Sequence, residues 1–160
     1  MTPAQFREAR EVTVVQITTP MLLSTDSELR RILTESRTGA VLGAKVDAWE
    51  AAFYVPKYMG EHGWSMIGVN PKLAGQAWLG SPAVAALAEL PAPVDLIEVF
   101  RRSAALVPIA QEILALPWRP KVVWFQLGIA NDEAAALLTN VGIDVVQDRC
   151  MMPEHRRLLG

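Results

Sequence analysis

Five short stretches of this sequence put glycines, amides and cations where an anionic ligand can be held. They are Gly43-Ala44-Lys45, Asn70-Pro71-Lys72, Phe100-Arg101-Arg102, Gln126-Leu127-Gly128-Ile129 and Gln147-Asp148-Arg149-Cys150. Each follows a short apolar run. Glycine lets a backbone approach a phosphate closely, and a helix starting just beyond it turns its free N–H groups toward the anion. Gly43 also has the plainer reading of a tight turn, because only one glycine of a G-x-G-x-x-G fingerprint is present there. In a site for NAD, the second stretch holds an acidic residue that binds the ribose hydroxyls. Here it holds Asn70, Pro71 and Lys72. A cation at that place favours a phosphorylated ribose, which coenzyme A carries at its 3′ position and NADP at its 2′ position. The competing reading of Lys72 is an ordinary solvated lysine. Arg101 suits bidentate phosphate binding. One of Arg101 and Arg102 can instead cap the sheet edge or pair with Glu98.

The groups that would turn binding into catalysis are sparse. The two histidines are His62, at a helix end where it complements the dipole, and His155, in the charged stretch Glu154-His155-Arg156-Arg157. Neither follows a strand, and neither has the spacing of a metal site or a catalytic triad. There is no G-x-S-x-G and no Walker loop. Asp95 and Glu98 fall in one apolar run and make no defensible acid/base pair. No catalytic or metal-binding residue is therefore assigned. Cys150 is the one cysteine. It reads as a small buried hydrophobe in preference to a reactive thiol.

The elements that must position these residues alternate along the chain. Helices are expected over 24–36, 54–62, 82–90, 106–116 and 131–141, with a last short one after Pro153. Strands are expected over 38–43, 65–69, 94–100, 121–126 and 143–146. Pro56 is compatible with its helix only near the first turn. The last full helix has a good cap, with Asn131 ahead of Asp132 and Glu133 in the positive first turn and Gly142 at the stop. The strands are continuous apolar runs, not alternating ones, which suits a parallel sheet buried on both faces. The expected fold is α/β: a Rossmann-like three-layer fold with a five-stranded parallel sheet and helices on both faces. In such a fold the ligand crevice lies at the carboxyl ends of the strands, where the five stretches fall. Residues 24–160 make one domain. Residues 1–23 read as an extension, in which Val12 to Ile17 form either an added strand or a flexible arm.

Bulk properties narrow the class of partner. The chain has 160 residues, 51% of them hydrophobic, enough for one compact domain with a core. Its net charge is −2, so no basic excess points to nucleic acid. No apolar run is long enough to span a membrane. The charges at Arg7, Glu8, Arg10 and Glu11 are unlike a signal peptide. A single thiol fits a reducing compartment, so the expected location is the cytoplasm.

Taken together, the motifs resemble a known family. Ala40-Val-Leu-Gly-Ala44, Tyr58-Met-x-x-x-Gly63-Trp64, Val69-Asn70-Pro71, Pro93-Val94-Asp95, Val99-Phe100-Arg101, Trp124-x-Gln126-x-Gly128 and Asp148-Arg149-Cys150-x-x-x-Glu154-His155 resemble, in this order, the small bacterial CoA-binding domain proteins. Their domain is similar to the CoA-binding domain of the succinyl-CoA synthetase α subunit. The resemblance covers roughly residue 24 to the end. It implies that coenzyme A lies across the strand ends, with contacts from Gly43, Ala44, Lys45, Asn70, Pro71, Lys72, Phe100, Arg101, Gln126, Gly128 and Ile129. The synthetase's phosphorylated histidine belongs to a separate domain, so ligase activity does not carry over. Where many members have a small hydroxyl residue in the first loop, this chain has Lys45. The expected function is binding of coenzyme A, or an acyl-CoA, as a non-catalytic or regulatory module. Two alternatives stand beside it: an NADP- or CoA-thioester-dependent enzyme component that needs a partner chain, and an interaction domain with a vestigial site. The sequence names no protein partner.

Overall fold

The computed structural model describes residues 22–160. Most of the expected extension, including Val12 to Ile17, lies outside the described residues. The chain enters through Leu22 and Leu23, where Leu22 bridges Val145 in parallel and the Leu23 N–H donates to the Val145 carbonyl at 2.8 Å.

The first helix, α1 (Asp26–Glu35), starts at a capping box. Thr25 Oγ1 accepts from the Glu28 N–H, and the Glu28 carboxylate accepts from the Thr25 N–H. Strand β1 (Thr38–Leu42) follows, then α2 (Ala51–Glu61) and β2 (Ser65–Val69). A small antiparallel pair, β3 (Ala77–Trp78) and β4 (Ser81–Pro82), precedes β5 (Leu96–Val99). Then come α3 (Leu106–Leu114), β6 (Val122–Phe125), α4 (Asp132–Thr139), β7 (Asp144–Val146) and α5 (Met151–Leu159). The main sheet runs β2-β1-β5-β6-β7, and every pairing in it is parallel.

Side chains alternate across the sheet, and both faces are apolar. Ala40, Ile97, Val99, Val123, Phe125 and Val145 pack with Ile109 and Ile113 of α3 and Leu138 of α4. Val41, Leu96, Trp124 and Val146 pack with Leu29 and Leu33 of α1, Met59 of α2 and Met151 of α5. The result is the expected Rossmann-like three-layer arrangement. No helix among the described residues is long and apolar enough to cross a membrane.

Three local expectations are corrected. The helix expected over 82–90 does not form. Pro82 lies in β4, the Val84 N–H donates to the Gly68 carbonyl, and the Asn70 N–H donates to the Val84 carbonyl. Edge pairing with β2 thus overrides the helix propensity of the alanines, and only Leu87–Glu89 makes a 3₁₀ turn. Helix α2 begins at Ala51, so Pro56 sits in its interior. The Ala52 carbonyl, which loses its intrahelical donor to Pro56, accepts the Lys45 N–H instead at 3.4 Å. The last helix begins at Met151, with Pro153 in its first turn, where its missing N–H costs nothing.

Candidate ligand-binding cleft

The strand order reverses between β1 and β5, and in doubly wound sheets a crevice opens at such a reversal. The loop after β1 is built before any ligand arrives. Asn70 Nδ2 donates to the Ala44 carbonyl at 2.9 Å, and Trp78 Nε1 donates to the Lys45 carbonyl at 2.7 Å. The Lys45 N–H bonds α2 as described. Gly68 makes room for this: a Cβ there would lie 2.9 Å from the Trp78 ring. Gly43 turns the chain at φ +89°, its N–H donates to the Val69 carbonyl, and a Cβ on it would lie 2.4 Å from the Phe100 carbonyl oxygen and 3.3 Å from Arg101 Nε. Only glycine lets the loops after β1 and β5 approach this closely.

Between these loops lies a cleft of about 440 Å³, within the range of small-molecule sites. Gly43 and Lys45 line it from the loop after β1, Glu50, Ala51 and Ala52 from the start of α2, Phe100 to Ser103 from the loop after β5, and Gly128 and Ile129 from the loop after β6. No side chain caps the first turn of α2, so its free N–H groups and dipole remain for a ligand. Three cations line the cleft: Lys45, Arg101 and Arg102. None of them is among the ion pairs of the described residues. Glu50 is the one carboxylate in the lining. The far wall is held by Ser103 Oγ, which accepts the Ala130 N–H at 3.1 Å, and by Asp148, whose carboxylate accepts the Gly128 N–H at 2.6 Å.

A family model described as a CoA binding domain matches residues 37–156. The chain belongs to the CoA-binding domain family. It is 35% identical over 129 residues to the uncharacterized protein YneT of Bacillus subtilis (strain 168), covering 81% of this chain and 93% of that one. Among solved structures, it is similar to cell-free ID.343 from Thermus thermophilus, with 46% identity and a TM-score of 0.80 over 85% of this chain and 100% of that one. It is also similar to a hypothetical protein from Pyrococcus horikoshii OT3, with 33% identity and a TM-score of 0.79 over 89% and 98% of the two chains.

Of the contacts that membership in the CoA-binding domain family suggested, Gly43, Lys45, Phe100, Arg101, Gly128 and Ile129 line the cleft. Ala44, Asn70, Pro71, Lys72 and Gln126 do not. Ala44 is fully buried. Asn70 spends its side chain inside the protein, donating to Ala44 and accepting the Lys72 N–H at 3.0 Å. Pro71 and Lys72 form a 3₁₀ turn beyond β2, on the far side of β1 from the cleft. The Gln126 side chain is buried, and its Nε2 has no partner among the described residues. Residue reasoning missed Glu50, Ala51, Ala52 and Ser103. The start of α2 was the available signal, and placing that helix three residues late hid it.

The remaining titratable groups sit elsewhere. His62 Nδ1 donates to the Tyr58 carbonyl at 2.7 Å, completing the end of α2 as expected of a helix terminus. His155 is buried, 2.9 Å from Tyr58 Oη through Nδ1, and its burial, with His62 and Arg37 nearby, lowers its pKa. This cluster lies at the end of α2 remote from the cleft. Asp95 clamps the amino ends of the strands, accepting from the N–H groups of Arg37 and Thr38. Among the described residues, no group of three histidine, cysteine, aspartate or glutamate side chains is placed to hold a metal ion.

Proposed function

We propose that this chain binds coenzyme A, or an acyl derivative of it, at the carboxyl ends of its strands and acts as a binding module without chemistry of its own. The observation that carries this reading is the convergence of Lys45, Arg101, Arg102 and the uncapped start of α2 on one preformed cleft. Such a cleft suits the diphosphate and 3′-phosphate of coenzyme A, which offer several anionic oxygens to separate donors. Family membership favours coenzyme A over NADP. The titratable side chains lining the cleft are cations and Glu50, which suit holding charge in place more than moving protons.

Calorimetric titration with coenzyme A, dephospho-CoA and NADP tests it. Coenzyme A is expected to bind in the micromolar range, with NADP much weaker. Arg101→Glu is expected to weaken coenzyme A by more than about tenfold, since a charge-assisted contact is replaced by repulsion. Absence of binding by the wild-type protein, or undiminished binding by Arg101→Glu, rules the assignment out.

A further inference from the structure

A second cleft, of about 550 Å³, opens beside the first between the ends of β6 and β7. Leu127, Asp148, Arg149, Cys150 and Pro153 line it, with Leu22 to Ser24 closing one side. The two clefts share a single ridge, because Leu127 lines the second and Gly128 the first. The ridge is fixed: Asp148 accepts the Gly128 N–H, and its own N–H donates to the Ile129 carbonyl at 3.1 Å. Asp148 holds a left-handed backbone, at φ +55°, to make both bonds. That conformation costs free energy in a residue other than glycine, so the ridge is bought at some local strain.

The chemistry changes across the ridge. Arg149 is already engaged, by Glu154 at 3.5 Å and the Ser24 carbonyl at 3.3 Å. Asp148 adds a negative charge that disfavours phosphate. Leu127 and Leu22 are 70% and 49% exposed, large apolar side chains that the described residues leave open. Burial pushes the Cys150 thiol up, so it stays neutral. The first cleft thus suits the charged half of an elongated ligand, and the second suits an uncharged, partly apolar half.

We propose that the second cleft seats the pantetheine arm and a short acyl group, so that the protein is a receptor for acyl thioesters of coenzyme A more than for the free coenzyme. This rests on the binding reading above. The distance is suitable: β1 to β7 spans three strand spacings, about 14 Å, and an extended coenzyme A molecule reaches across that.

Three probes separate the halves: adenosine 3′,5′-bisphosphate, coenzyme A and butyryl-CoA. In the wild type, butyryl-CoA is expected to bind most tightly. Leu127→Ser, an uncharged change at an exposed position, is expected to weaken butyryl-CoA by about fivefold to tenfold and to leave adenosine 3′,5′-bisphosphate unchanged. Cys150 is the sole cysteine, so alkylation by a maleimide is read unambiguously by mass. Butyryl-CoA is expected to protect it, and adenosine 3′,5′-bisphosphate is not. If the wild type binds coenzyme A but Leu127→Ser affects no probe, or affects all three equally, and Cys150 is unprotected, the second cleft is not the acyl seat while the binding reading stands. If the wild type binds none of the three, the binding reading falls and this one falls with it.

Discussion

Glu98 is the side chain whose surroundings fit its chemistry least. It lies on β5 with Val41 of β1 on one side and Trp124 of β6 on the other, fully buried, and neither carboxyl oxygen has a hydrogen-bond partner among the described residues. Neither Arg101 nor Arg102 pairs with it, contrary to one reading of the sequence. Burial pushes its pKa up to about 8 from 4.5. In the unfolded chain it ionises near 4.5, while in the fold it keeps its proton until about 8. The unfolded state therefore binds fewer protons across that window, and stability falls as pH rises through it. Its contribution is intact below about 4.5 and lost by about 8. Glu98→Leu is expected to melt above the wild type at pH 8, with the gap closing toward pH 5. Parallel melting curves against pH for the two proteins would show that Glu98 titrates normally. The sequence placed Glu98 in a strand but not its burial. In a run apolar on both faces, periodicity does not reveal which positions lie deepest.

At the scale of elements, the loop between β1 and α2 is the best-determined part of the site. Its rigidity comes from partners in three other places: Asn70 after β2, Trp78 in β3 and the carbonyl freed by Pro56. Gly43 is the pivot. Gly43→Ala is expected to lower stability by about 2 kcal/mol or more, from the left-handed backbone alone about 1–2 kcal/mol plus the clash with the Phe100 carbonyl. Urea unfolding measures it, and an unchanged midpoint would mean that the two loops move apart freely. The expected strands and most helices were legible because their signals are local: apolar runs, the Asn131 cap, and the stops at Gly63 and Gly142. What was not legible was set at a distance. Val84 is held extended, in an isolated bridge to Val69, because Gly68 and Asn70 bond it, and Pro56 is tolerated because Lys45 supplies the missing donor.

At the scale of the molecule, the number of strands in the main sheet could be read from the sequence, but neither their order nor the small β3–β4 pair could. The rule that ligands bind at strand ends pointed to Gly43, Arg101 and Gly128, which line the cleft. It also drew in Asn70 and Lys72, whose strand turns out to lie beyond β1, away from the reversal. The cleft itself sets up a whole-molecule balance. The chain carries a net charge of −2, yet Lys45, Arg101 and Arg102 converge on one place, with Glu50 in the lining but no ion pair to any of the three among the described residues. Their mutual repulsion weakens the ligand-free fold. A Lys45→Gln, Arg102→Gln double variant is expected to melt above the wild type at low ionic strength. That advantage should fade at high salt, where the charges are screened, and coenzyme A affinity should fall at the same time. Scanning fluorimetry across a salt series reads the first effect, and no gain at low salt would mean the three charges do not feel one another.

The same cluster bears on the history of the chain. Each of the three cations can be neutralised by substitution, and each such change relieves repulsion in the empty protein. A protein with no use for the cleft would gain stability by losing them. Stability alone gives no reason to keep all three cations. On the binding reading proposed above, a bound polyanion offsets that repulsion, so the occupied protein is expected to be the more stable form.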